Sequence, residues 1–191
     1  MSSILLTPPA VEPLSLAEAK AWLRVDQADD DALIAALISS ARTHVEALTR
    51  RALIAQTWRI VRDAWPAEGR LEVLPAPLRQ VLAARVYDAA GATQSIDPQV
   101  FAIDNAAAPS VIAFAPRALP QPGRSVAGIE IDVVAGYGTM ASAVPEPLKQ
   151  AIRQLLAHWY ENRGVAAIGE AALPLRATVA ALIAPYRVLS L

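Results

Sequence analysis

The 191-residue chain contains no cysteine. That removes disulfides, thiolate zinc sites, iron–sulfur clusters and cysteine nucleophiles together. It also contains only two histidines, His44 and His158, each in a helix-forming stretch without a second histidine at i+3 or i+4, so no helical metal pair can form. A lone helical histidine reads as a packing or surface residue. No apolar run approaches the ~20 residues of a membrane span. The opening Met1–Pro9 stretch lacks the basic n-region and long apolar core of a secretory signal, which places the protein in the cytosol or in something assembled there. Charge of one sign is missing as well. A formal net charge of −1 argues against a nucleic-acid binder that works by neutralising phosphates, which needs a basic stripe.

What is abundant is apolar surface. Hydrophobic residues make up 54% of the chain and charged ones 18%, against the usual ~45–50% and ~25%. Such a balance points to surface hidden against copies or partners. The length suits one domain, or one domain carrying an insertion, with enough core to need no metal or disulfide staple.

Periodicity divides the chain. Residues 1–13 carry Pro8, Pro9 and Pro13 and read as an extended arm. Ser15-Leu16-Ala17-Glu18 is a capping box opening a short helix that runs to about Val25, with Leu16, Ala19, Trp22 and Leu23 on its buried side. Asp26–Asp31 is a polar turn. Leu33, Ile34, Leu37, Ile38, Ala41, Val45 and Leu48 recur at helical steps, and Arg50 and Arg51 close that helix. From Gln56 the period becomes two. Thr57–Arg62, Leu71–Leu74, Val81–Tyr87, Val100–Ile103, Val111–Phe114 and Ile129–Val133 read as short strands, the fourth and fifth paired through a turn near Asp104-Asn105. Arg117–Arg124 is a loop. Helix returns at Pro145-Glu146-Pro147, with Leu148, Ile152, Leu155, Leu156 and Trp159 as its stripe and Gly164 as its cap. Val165–Ala172 reads as a mobile link, and Leu175–Ala184 as a last helix stopped by Pro185. The fold class expected is α+β: a mainly helical body (residues 14–55 and 139–184) of two long helices plus short ones, interrupted by a small antiparallel β insertion (56–138). Extended arms (1–13 and 185–191) sit at both ends.

The search for reactive groups yields little. Asp29-Asp30-Asp31 lacks the spaced ligands and distal glutamate of a calcium loop. Gly136-Tyr137-Gly138 lacks the spacing and lysine of a phosphate loop and ends a strand instead. Glu130 and Asp132 share one strand face and are expected to face water. Arg50, Arg51, Arg59, Arg62, Arg79 and Arg85 are expected in salt bridges or at rims. No cofactor and no metal is called for, and the chain reads as a non-enzyme. A carboxylate-dependent hydrolase resting on Glu130 or Asp132 stays open, since carboxylates alone hydrolyse glycosides.

Several segments together resemble one family. Pro13–Lys20 with Leu23-Arg24-Val25-Asp26, then Asp30–Ile34, Ala41-Arg42, Val45-Glu46 and Thr49–Trp58, are similar to the opening of tailed-phage head–tail connector (adaptor) proteins. Ala135-Gly136-Tyr137, Val144-Pro145 and His158–Arg163 resemble that family's third helix, and Ala184–Val188 its C-terminal signature. The resemblance implies a subunit of the neck of a phage or phage-like gene transfer agent, assembled in the bacterial cytoplasm. Members form a ring, commonly twelvefold, that extends the DNA channel between the portal and the stopper or tail. It implies a portal-binding tail (Pro185, Tyr186, Arg187, Val188, Leu189, Leu191) and a ring interface drawing on Trp22, Arg50, Arg51, Trp159, Tyr160 and Arg163. Portal, a stopper or tail-completion protein, and DNA passing through the channel are the implied partners, with no membrane involved. Another neck or tail-completion protein is the alternative.

Overall fold

A computed structural model describes residues 2–106, 108–162 and 172–189. The expected Gly164 cap, most of the 165–172 link, and Arg163 and Leu191 lie outside them. The chain forms two units, one from residues 1–10, 55–137 and 188–191, the other from residues 11–54 and 138–187.

The helical unit starts where the capping box places it. The Glu18 amide donates to Ser15 Oγ (3.2 Å) and the Ser15 amide donates to Glu18 Oε2 (2.8 Å), which opens helix α1 at Leu16–Leu23. Arg24 closes α1 in the left-handed region (φ 57°). Helix α2 spans Asp31–Thr49 and is capped by Arg50 in the same conformation (φ 56°). Helix α3 spans Glu146–Glu161 and helix α4 Ala172–Ile183, followed by a 3-10 turn at Ala184–Tyr186. Ile34, Ile38, Ala41 and Val45 of α2 and Leu148, Ala151, Ile152, Leu155 and Leu156 of α3 are buried where these two helices pack together, and α4 packs on α3. Each Ile or Leu taken from water there contributes about 1.5–3 kcal/mol. The stripe of α2 is narrower than its periodicity suggests, because Leu33 and Leu48 remain exposed. In α1 only Ala19 is fully buried, and Trp22 is exposed.

The other unit corrects the expected fold class. The protein is not a mainly helical body with a small insertion: it has eight strands in two antiparallel sheets beside four α-helices among the described residues. The strands are β1 Ser2–Thr7, β2 Gln56–Arg62, β3 Arg70–Val73, β4 Leu78–Tyr87, β5 Thr93–Ile96, β6 Ala102–Asp104, β7 Ser110–Ala113 and β8 Ile129–Ala135. One sheet has the order β1-β2-β8-β4-β5, the other β3-β7-β6. The N-terminal arm is therefore not simply extended chain. Five of its first six described residues pair with β2, from Ser2 opposite Val61 to Thr7 opposite Thr57, with a register irregularity at Leu6. Pro8 and Pro9 end the strand, since neither can donate to a ladder. Strand β5 (Thr-Gln-Ser-Ile) is polar and escapes a search for alternating apolar residues, and Val100 lies in a 3-10 turn rather than a strand. Strands β6 and β7 pair as expected, Ile103 opposite Ile112.

Residues from both sheets share one core. Ile129, Ile131 and Val133 of β8 point inward on alternate positions, as a strand with one covered face requires. They join Ile60, Ala84, Val86, Leu71, Val73 and Ile112. Trp65, Phe101 and Phe114 complete the cluster with ring centroids 5.0–6.1 Å apart. The Trp65 indole N–H donates to the Pro120 carbonyl (2.9 Å), so its one polar atom is satisfied. Gly69 is required beside this cluster. Its φ is +68°, and a Cβ there would lie 2.3 Å from the Phe114 carbonyl oxygen.

Candidate assembly interface

Two carboxylates on one strand were the strongest hint of chemistry, and the structure neutralises them. Glu130 and Asp132 project from β8 on the face away from the core, between Arg59 of β2 and Arg85 of β4. Arg59 Nε donates to Asp132 Oδ1 (2.7 Å) and Arg85 Nε to Glu130 Oε2 (2.8 Å), with a further contact from each arginine to the other carboxylate. The group is largely covered rather than facing water. Burial alone would raise the Asp132 pKa, but the hydrogen bond from Arg59 and the charges of both arginines outweigh it and hold the carboxyl below its ordinary value. A glycosidase acid needs the opposite shift.

The sign of that shift fixes a pH dependence. A carboxylate lowered in the folded state stabilises the fold above its unfolded pKa, about 4, and loses that contribution as pH falls through the folded value. Glu18, held low by hydrogen bonds from Ser15, and Glu146, held low by Lys149 and Arg153, act in the same direction. Urea denaturation is therefore expected to show stability falling below about pH 4. Asp132→Asn should be less stable near neutrality and show a flatter acid limb.

The residues proposed for a ring interface have different neighbours. Trp22 stands on α1, 46% exposed. Arg50 is exposed at the end of α2. Arg51 Nε donates to the Tyr186 carbonyl (2.6 Å), tying the chain after α2 to the turn after α4. Trp159 meets His44 edge-to-face, with centroids 5.8 Å apart. Tyr160 donates its hydroxyl to Asp30, beside a cleft lined by Arg24, Asp26, Gln27 and Asp29. Of the C-terminal residues, Pro185 and Arg187 are exposed and Tyr186 is half-buried. Val188 is 4% exposed and Leu189 77% exposed.

Sequence reasoning missed an apolar groove of about 390 Å³ in the helical unit. His44 and Leu48 of α2, Leu155 of α3, Val179, Ala180 and Ile183 of α4, and Arg187 line it. A signal existed. Leu33, Leu37, His44 and Leu48, at steps of four, seven and four, form a second stripe offset from the buried one. Also missed was Arg42, a buried guanidinium that donates to Glu12 (2.8 Å) and Glu46 (2.7 Å). Burial opposes its charge, yet the hydrogen bond it donates to Glu12 and the charges of Glu46 and Glu12 prevail and keep its pKa above the ordinary value. Among the described residues no group of His, Asp and Glu could hold a metal ion, and no helix is long and apolar enough to cross a membrane.

The sequence model of a family described as phage gp6-like head–tail connector protein matches residues 13–98. No curated protein matches the sequence at a significant level. Among solved structures, a chain from the neck of an empty gene transfer agent (GTA) particle, computed with C6 symmetry, is 29% identical. The match covers 100% of this chain and 97% of that one, with a TM-score of 0.81. A chain from the virion of a native GTA particle is 28% identical over the same shares, with a TM-score of 0.84. A chain from the neck of a native GTA particle, computed with C12 symmetry, is 29% identical over the same shares, with a TM-score of 0.80. Over residues 13–98 the sequence resembles the phage gp6-like head–tail connector family, and over its whole length the fold resembles chains from GTA necks and virions.

Proposed function

We propose that this chain is a structural subunit of the neck of a phage-like particle: a head–tail connector that assembles with copies of itself into a ring. The observation that carries this reading is the end-to-end match to a neck chain, 100% of this chain on 97% of that one. The geometry agrees. The carboxylate pair is ion-paired to two arginines, while exposed apolar residues occur on both units. A ring repeats one heterologous contact, so a modest interface closes into a stable whole.

In this reading the ring sits between the portal and a stopper or tail-completion protein, and packaged DNA passes through it without being gripped, as a net charge of −1 suits. Portal contact is assigned to the C-terminal tail. Leu189 and Arg187 offer an apolar and a cationic side chain to solvent, while the bond from Arg51 to the Tyr186 carbonyl fixes where the tail departs. Pull-down on isolated portal tests this. Arg187→Glu with Leu189→Asp is expected to weaken capture at least about tenfold, a loss of about 1.4 kcal/mol, with circular dichroism and unfolding midpoint unchanged. Unaltered capture would reject the tail assignment. Capture by a tail-completion protein but never by portal would make the chain a different neck component.

A further inference from the structure

The five-stranded sheet ends on two different edges, and neither carries a charged side chain; β1 has one irregularity of register, at Leu6, and β5 is four residues long. Strand β1 carries no lysine or other charge, and the first ionisable side chain after the amino terminus is Glu12. Ile4, Leu5 and Leu6 are 48%, 43% and 41% exposed, although successive residues of a strand face opposite sides. An uncharged edge, apolar on both faces, is normally blunted or paired. At the far side of the same sheet, β5 is Thr-Gln-Ser-Ile, also uncharged, with Thr93, Gln94 and Ser95 exposed. It covers β4 only from Ala84 to Tyr87, and the bulge before Ala83 leaves Leu82 exposed at the uncovered part. Val100, in the turn that follows β5 and packs on β4, is exposed as well.

We infer that β1 of one subunit adds as a sixth strand to the β5 edge of the next, with Ile4, Leu5 and Leu6 covering Leu82 and Val100. The inference rests on the ring reading above and names its contact. The occupant is a second copy because rotational closure needs two unlike surfaces that fit each other, and a sheet with two unlike uncharged edges supplies both. Backbone hydrogen bonds then provide the adhesion and the apolar side chains the register, as in strand addition generally. A two-fold β1–β1 pairing would use one edge twice and leave β5 open.

The absence of cysteine makes the test clean. Ile4→Cys and Ser95→Cys are introduced singly and together, and the protein is assembled and treated with a short bismaleimide. The double variant is expected to give a ladder of covalent oligomers on a denaturing gel, and each single variant only monomer. Dimers from Ile4→Cys alone would show β1–β1 pairing and overturn the inference. Rings visible by electron microscopy that never cross-link would overturn it while leaving the ring reading intact. Absence of rings under every assembly condition would overturn both. Independently, Ile4→Lys with Leu6→Lys is expected to weaken assembly at least about tenfold with unfolding unchanged, and undiminished assembly would count against the proposal.

Discussion

Replacing Ile131 by alanine is expected to lower the unfolding free energy by about 4 kcal/mol. Ile131 is fully buried on β8, the central strand of the larger sheet, between Ile60 on β2 and Ala84 on β4. Neighbours held by ladders on both sides cannot collapse into the space left behind, so the lost transfer free energy and the cavity add. Val134, half-buried on the opposite face of the same strand, is the control, and Val134→Ala should cost under about 1 kcal/mol. Urea denaturation monitored by tryptophan fluorescence reads both. A shift in midpoint at unchanged slope reports stability, whereas a changed slope would indicate a change in the surface exposed on unfolding.

Arg42→Met should cost about 3 kcal/mol. The guanidinium is buried and bridges Glu12, thirty residues earlier in the chain, to Glu46 one helical turn later. Glu46 in turn accepts the Leu53 amide at 2.8 Å. Methionine keeps the bulk but leaves two carboxylates without their cation, and that loss exceeds what the intact pair contributes over an apolar pair of similar shape. The combined Arg42→Met, Glu46→Gln variant should therefore be less damaged than the sum of the single variants. Strict additivity in that double-mutant cycle would show that the two side chains do not act together.

These two effects also show how far the fold could be read from the residues. Local signals were strong where one segment decides its own structure. Ser15 and Glu18 cap α1 because both partners lie within four residues, and the alternation in β2 and β8 marks strands with one covered face. Signals failed where a partner lies far away. Strand β1 has no alternation because neither face is fully covered, and β5 is polar because it lies at an edge, so periodicity alone underestimates the β part. Arg42 looks like any helical arginine until Glu12 arrives from another segment. Leu33 and Leu48 fitted the α2 stripe by spacing, yet α2 turns them outward, and Leu48 lines the groove with α4 instead. The connector resemblance ran along the chain from Pro13 onward because those motifs are local. The surfaces that make a neck belong to the assembled fold.

The measurement closest to the central claim is an electron cryo-microscopy reconstruction of intact particles in which this chain is traced. A ring of copies in the neck, between the portal vertex and the tail, is expected. Density for the chain in the tail tube or capsid shell, or a single copy off the particle axis, would contradict it.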